Sequence, residues 1–233
     1  MPSLAKKRTK TAASSIGQES HIVFYPMVVL TLVLWILYRR LFDFPVLFDE
    51  TIGKALFFGF PVWLYINMVG AKKILETMSL RKFQSGVLLG LAVGGIFGFA
   101  TSILTLFTRD VPVQSVALFS SERFWGEFIL ALFTGFWETL LFFTFILTVI
   151  QEKYSRWAVS NQALLAALIF LIFHLPNIYL RFSDISIQAM FFQAILLFLF
   201  ALGQSFLFIG RRNTYALILS HAIWGMVLLV HTW

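Results

Sequence analysis

Seven apolar runs constrain this chain more than any other feature of it. They fall at roughly residues 22–38, 55–70, 86–107, 125–150, 158–179, 187–209 and 214–231. About 20 helical residues cross the ~30 Å hydrocarbon core of a bilayer, and each run lies near or within that tolerance. The chain is 59% hydrophobic and 12% charged, more apolar surface than a soluble fold of 233 residues can hide. The expected fold is therefore all-α, a polytopic transmembrane helical bundle of about seven spans. The run at 55–70 is the shortest, and VPVQSVALF (111–119) is too short to span and reads as interfacial.

The charges sit at the ends of these runs. Residues 1–20 are polar, with Lys6, Lys7, Arg8 and Lys10 clustered, and read as a disordered basic cytoplasmic tail. The polar stretch TAASSIGQES parts that cluster from the first apolar run, so the pattern is not that of a cleavable signal peptide. With the N-terminus inside and seven alternating spans, twelve Lys and Arg fall inside and six outside. That asymmetry supports a cytoplasmic N-terminus. The net charge of +7 accordingly reads as contact with anionic lipid and not with nucleic acid. Absence of cysteine excludes disulfides, thiol nucleophiles and Cys-ligated zinc.

Gly86, Gly90, Gly94 and Gly98 recur every fourth residue in the third run. They leave one helix face as bare backbone, which reads as a seam for a neighbouring helix.

Ionisable residues within the runs are few: Glu127, Glu138, His174 and His221, with His21 and His231 at membrane edges. No Asp, Lys or Arg lies well inside a run as drawn. An intramembrane ionisable residue is a functional-site hypothesis by default. Glu138, His174 and His221 stand on three different spans, none at an extreme end, so they can meet inside the bundle. Inserting a centred acidic residue costs about 2.5–3.5 kcal/mol. An interhelical polar contact returns only about 1–2 kcal/mol. Polar glue alone is thus a poor reason for a glutamate. Glu127 lies about three turns before Glu138 on nearly the same face and would line the entrance to a site. Phe170 shares a helix face with His174, Pro176 should kink or end that helix, and Gly225 leaves open space four residues after His221.

One carboxylate and two imidazoles suit hydrolysis without a covalent intermediate. A buried Glu can serve as general base on water, one His can share that water, and the other can donate to an oxyanion. The same three residues would be the ligands if zinc were used. The expectation is no cofactor, with zinc as the open possibility. A serine mechanism would need Ser205 in GQSF paired with His221, a weak match.

These residues resemble the CAAX-protease and bacteriocin-processing family of intramembrane peptidases. Its first motif, E-E-x-x-x-R, is approached by ETLLFFT (138–144), with Glu138 as the first glutamate and Phe142 as the following phenylalanine. Its second, F-x-x-x-H, matches Phe170 to His174. Its third, H-x-x-x-N, begins at His221. Thr139 replaces the second glutamate, Phe143 the arginine and Gly225 the asparagine. The resemblance implies that Glu138 and His174 activate water and that His221 is one oxyanion donor, with Phe142, Phe170, Gly225 and Glu127 in support.

The resulting expectation is a tail (1–20), N-terminal transmembrane helices (21–124) and a CAAX-protease-like core (125–233). Such a protein would be an intramembrane endopeptidase of a prokaryotic cell membrane, with lipid and a membrane-associated peptide or protein as partners. The alternative is a catalytically silent relative that acts in membrane binding, immunity or signalling. A proton-coupled transporter using Glu138 is a third reading, but no inverted repeat supports it.

Overall fold

The computed structural model describes residues 3–70, 72–108, 124–181 and 187–232. The stretch 111–119, read as interfacial, lies outside them. Among the described residues there are helices and no strand: α1 (Ser3–Leu41), α2 (Val46–Val69), α3 (Lys72–Thr77), α4 (Phe83–Thr108), α5 (Phe124–Lys153), α6 (Val159–Arg181), α7 (Ile187–Arg211) and α8 (Thr214–Thr232). Six stretches are long and apolar enough to cross a membrane, and α8 carries a shorter apolar one, Thr214–Val227. The polytopic helical bundle expected from the runs is therefore what forms.

Three boundaries differ from the sequence reading. α1 is helical from Ser3, although composition suggests a disordered tail over 1–20. Ala and Lys recur there and Arg, Gln and Glu also occur, all good helix formers, and the proline inside α1 is Pro26. α6 runs through Pro176 to Arg181 instead of stopping past His174. Neighbouring helices in a bundle tolerate such a proline by satisfying the backbone group it frees. The third difference matters most. The second span begins at Val46, not near 55, so Asp49, Glu50 and Lys54 lie inside it. Hydropathy places those charges outside because it cannot see that they are paired.

α5 is the central helix. In its apolar stretch 61% of residues are buried, against at most 39% in any other span. From Leu141 to Ile150 every residue is buried, which fits a segment hydrophobic on all sides. Large apolar side chains elsewhere, such as Leu30, Leu88 and Phe99, are exposed on the outer faces of the helices, as a lipid-facing surface requires.

The glycine seam of α4 lies against α8. A Cβ on Gly90 would stand 2.8 Å from the Ala216 carbonyl oxygen and from Leu219 Cβ, and one on Gly94 would stand 3.0 Å from Ser220 Cα. Backbone-to-backbone approach of this kind is the physical use of small residues in membrane helices. On the other side of α8, Gly135 of α5 plays the same part: its Cβ would stand 2.8 Å from the Ile218 carbonyl oxygen and 3.3 Å from His221 Cβ. α8 is thereby clasped between α4 and α5. Gln204 and Ser220 tie it to α7 by a 2.8 Å hydrogen bond, and Trp224 donates to Thr101 of α4 at 3.0 Å. His221 is thereby set against Gly135, one turn before Glu138 on α5.

Candidate functional site

Glu138 closes the regular part of α5. After it, residues Thr139–Leu147 form π-helical turns, with i→i+5 bonding. α2 has two more, Asp49–Gly53 and Ala55–Gly59, on either side of Lys54. Turns of this type widen a helix and re-aim the side chains beside them, and they gather at functional sites.

Glu138 is only 4% exposed, and its two carboxylate oxygens have separate partners. Oε2 lies 3.3 Å from His174 Nε2 on α6 and 3.3 Å from His221 Nε2 on α8. Oε1 accepts a 2.5 Å hydrogen bond from the Lys54 ammonium on α2. The three residues singled out from the sequence thus do converge, and a fourth joins them. Lys54 also pairs with Glu50, one turn earlier, and Glu50 Oε2 accepts from the Thr134 hydroxyl at 2.6 Å. A continuous polar line runs from Thr134 through Glu50 and Lys54 to Glu138 and the two imidazoles. The cost of burying Glu138 is offset by a buried cation, a stronger compensation than the two histidines alone.

The histidines are fixed by their surroundings. His174 Nδ1 lies 2.8 Å from the Phe170 carbonyl oxygen, and its ring stacks on that of Phe170 at a centroid distance of 4.0 Å. The carbonyl can only accept, so Nδ1 carries the proton and Nε2 faces Glu138. Phe142 packs edge-on to Phe170 at 4.9 Å and so supports His174 from behind. His221 meets the edge of Phe200, which also stacks on the indole of Trp224 at 3.9 Å. Its Nδ1 is buried without a hydrogen-bond partner.

These groups line a cavity of about 330 Å³. Glu138, His174, His221, Phe170, Glu127 and Gly225 all contribute to its wall, as do Glu50, Lys54, Thr134 and Asn177. Phe142 is not in the wall. Val46 and Glu127, near the starts of α2 and α5, and Asn177, near the end of α6, place the cavity toward one end of the bundle. A Cβ on Gly225 would meet nothing within 4 Å, the open space that its spacing predicts. Ser205 donates to the Ala201 carbonyl oxygen of its own helix at 2.8 Å and is absent from the cavity wall.

Sequence reasoning missed Lys54, Glu50 and Thr134. The available signal was ETIGK (50–54), an i,i+4 Glu–Lys pair abutting an apolar run. Among the described residues no group of three His, Cys, Asp or Glu side chains is arranged to hold a metal ion. Both Nε2 atoms approach one carboxylate oxygen, and the other oxygen already faces an ammonium.

Fold and site together define a polytopic helical membrane protein with a buried carboxylate–imidazole centre. Residues 120–227 match the family model described as type II CAAX prenyl endopeptidase, Rce1-like. The resemblance read from the three motifs and this match fall on the same C-terminal segment, which is similar to that family. The match supports CAAX-type intramembrane endopeptidase activity in general terms. No curated protein and no solved structure gives a significant match.

Proposed function

We propose that this protein is an intramembrane endopeptidase that cleaves a membrane-associated peptide or protein with a water activated by Glu138 and His174. The observation that carries the reading is the meeting of three side chains from three helices at one carboxylate oxygen, on the wall of a cavity. A water in that cavity would hydrogen-bond to Glu138 Oε2 beside His174 Nε2. As its oxygen adds to the scissile carbonyl carbon, its proton passes to Oε2. His221 Nε2–H then turns from Glu138 to the tetrahedral oxyanion, where a donor is worth more than in water. The proton on Glu138 moves to the departing amine nitrogen as the C–N bond breaks. Water supplies the new C–O bond and both protons that the products gain.

Lys54 supplies the positive charge at Glu138, and the two imidazoles approach one oxygen of that carboxylate. The mechanism is therefore written through this chain's own residues, without metal. Substrate chemistry follows from the description of the matched family, so prenylated C-terminal peptides are the first to try.

The test is cleavage of a peptide set, prenylated and unmodified, by purified wild type and Glu138→Gln, with and without a chelator. Wild-type cleavage that survives chelation and falls by at least about 10³-fold in Glu138→Gln supports the reading. Cleavage abolished by chelator overturns the metal-free mechanism. No cleavage by wild type, with an equally stable Gln protein, points to the silent relative.

A further inference from the structure

The first motif has lost both supporting charges on α5. Thr139 stands where the pattern has a second glutamate, and its hydroxyl is buried without a hydrogen-bond partner. Phe143 stands where it has an arginine, and its ring stacks on Phe170 at 5.8 Å. Neither position is solvent-accessible, so no charge from α5 itself reaches Glu138.

Both charges are nonetheless present, on another helix. Glu50 and Lys54 stand one turn apart on α2, and Lys54 is 4% exposed. The ammonium lies between two carboxylates, those of Glu50 and Glu138. A lysine so deep in an apolar bundle is retained only where its charge is matched. Its position is fixed at both ends. Thr134 of α5 anchors Glu50, and the π-helical turns on each side of Lys54 aim it inward.

We propose that Lys54, held by Glu50, is the positioning residue for Glu138, having moved the ion-pair support of the first motif from α5 to α2. By engaging Oε1, it leaves Oε2 as the oxygen presented to His174, His221 and water. Without that grip the carboxylate rotates about its last bond, and neither oxygen keeps both imidazoles. This inference rests on the endopeptidase reading for its catalytic consequence, but the grip itself does not.

The experiment therefore has two arms on the full-length, detergent-solubilised protein. In the first, kcat and KM are measured for Lys54→Met, Lys54→Arg, Glu50→Gln and, as control, Lys73→Met. Lys73 pairs with Glu152 on the exposed surface. Lys54→Met is expected to lower kcat by about 10²-fold with KM within about threefold. Lys54→Arg should recover part of that loss, Glu50→Gln should lie between, and Lys73→Met should change neither constant. Wild-type kcat in Lys54→Met would overturn the proposal, as would a loss carried by KM alone. The second arm needs no activity. Thermal unfolding of Lys54→Met, Glu138→Gln and the double variant forms a cycle. The double variant should melt above Lys54→Met, because the stranded carboxylate is gone. Strictly additive losses would overturn the grip. Should wild type cleave nothing, the endopeptidase reading falls and this cycle alone decides the ion pair.

Discussion

The sharpest result concerns one carboxylate whose two oxygens do different things. Glu138 gives Oε1 to Lys54 and Oε2 to two imidazoles. Its histidine partners were legible in the sequence because an ionisable group in an apolar run has few innocent explanations. Lys54 was not, because it stands where a hydropathy profile begins to rise and so passes for a boundary residue. Gly225 bears on the same chemistry from the cavity wall. It occupies the place of an asparagine in the third motif, lines the cavity and has no neighbour within 4 Å of a built Cβ. A side chain can therefore start from Gly225 into the cavity without a clash at its Cβ. We expect Gly225→Asn to raise kcat by about tenfold or more, since one oxyanion donor is typically worth about 10²–10³. The measurement is steady-state cleavage of the best peptide. An unchanged rate in a folded Asn variant would mean that the oxyanion does not form near Gly225.

At the scale of elements, the bundle is built on close approach. α8 carries His221 and is gripped by the α4 seam on one side and Gly135 on the other. The four-residue glycine period announced the seam but not its partner, because small residues specify a bare face and say nothing of what covers it. Gly90→Leu must push α8 away from Ala216 and Leu219. Overpacking of this kind costs about 1–3 kcal/mol. The displacement also carries His221 off Glu138. The expected outcome is a lower unfolding midpoint together with lost cleavage, with Gly90→Ala showing a smaller form of both. Wild-type melting of Gly90→Leu would show that the seam does not bear on α8. The π-helical turns around Lys54 and after Glu138 were illegible. They lie where α2 and α5 pack closely, as where Gly59 faces the Trp137 ring, and no local residue pattern announces them.

At the scale of the whole molecule, the site does not respect the division suggested by the motifs. Three of its members lie within the matched segment 120–227, and Lys54 and Glu50 lie well before it. The N-terminal helices are thus more than packing, and the segment carrying the family's motifs is incomplete without α2. This has a consequence for biogenesis. A membrane chain is threaded from its N-terminus, so Lys54 leaves the ribosome 84 residues ahead of Glu138. Until α5 arrives, α2 holds Lys54 against Glu50 alone and Asp49 against Arg39 of α1, and it is the least apolar of the six spans. Charged pairs in the first half of a span, held by few partners, still make its insertion less favourable than that of an apolar helix. A chain truncated after residue 110 and fused to a glycosylation reporter should therefore insert α2 inefficiently, and extension through α5 should rescue it. Full insertion of the short chain would show that α2 needs no help. The late-made α5 then does a second job, closing around the polar pair of an early-made helix through Glu138 and Thr134.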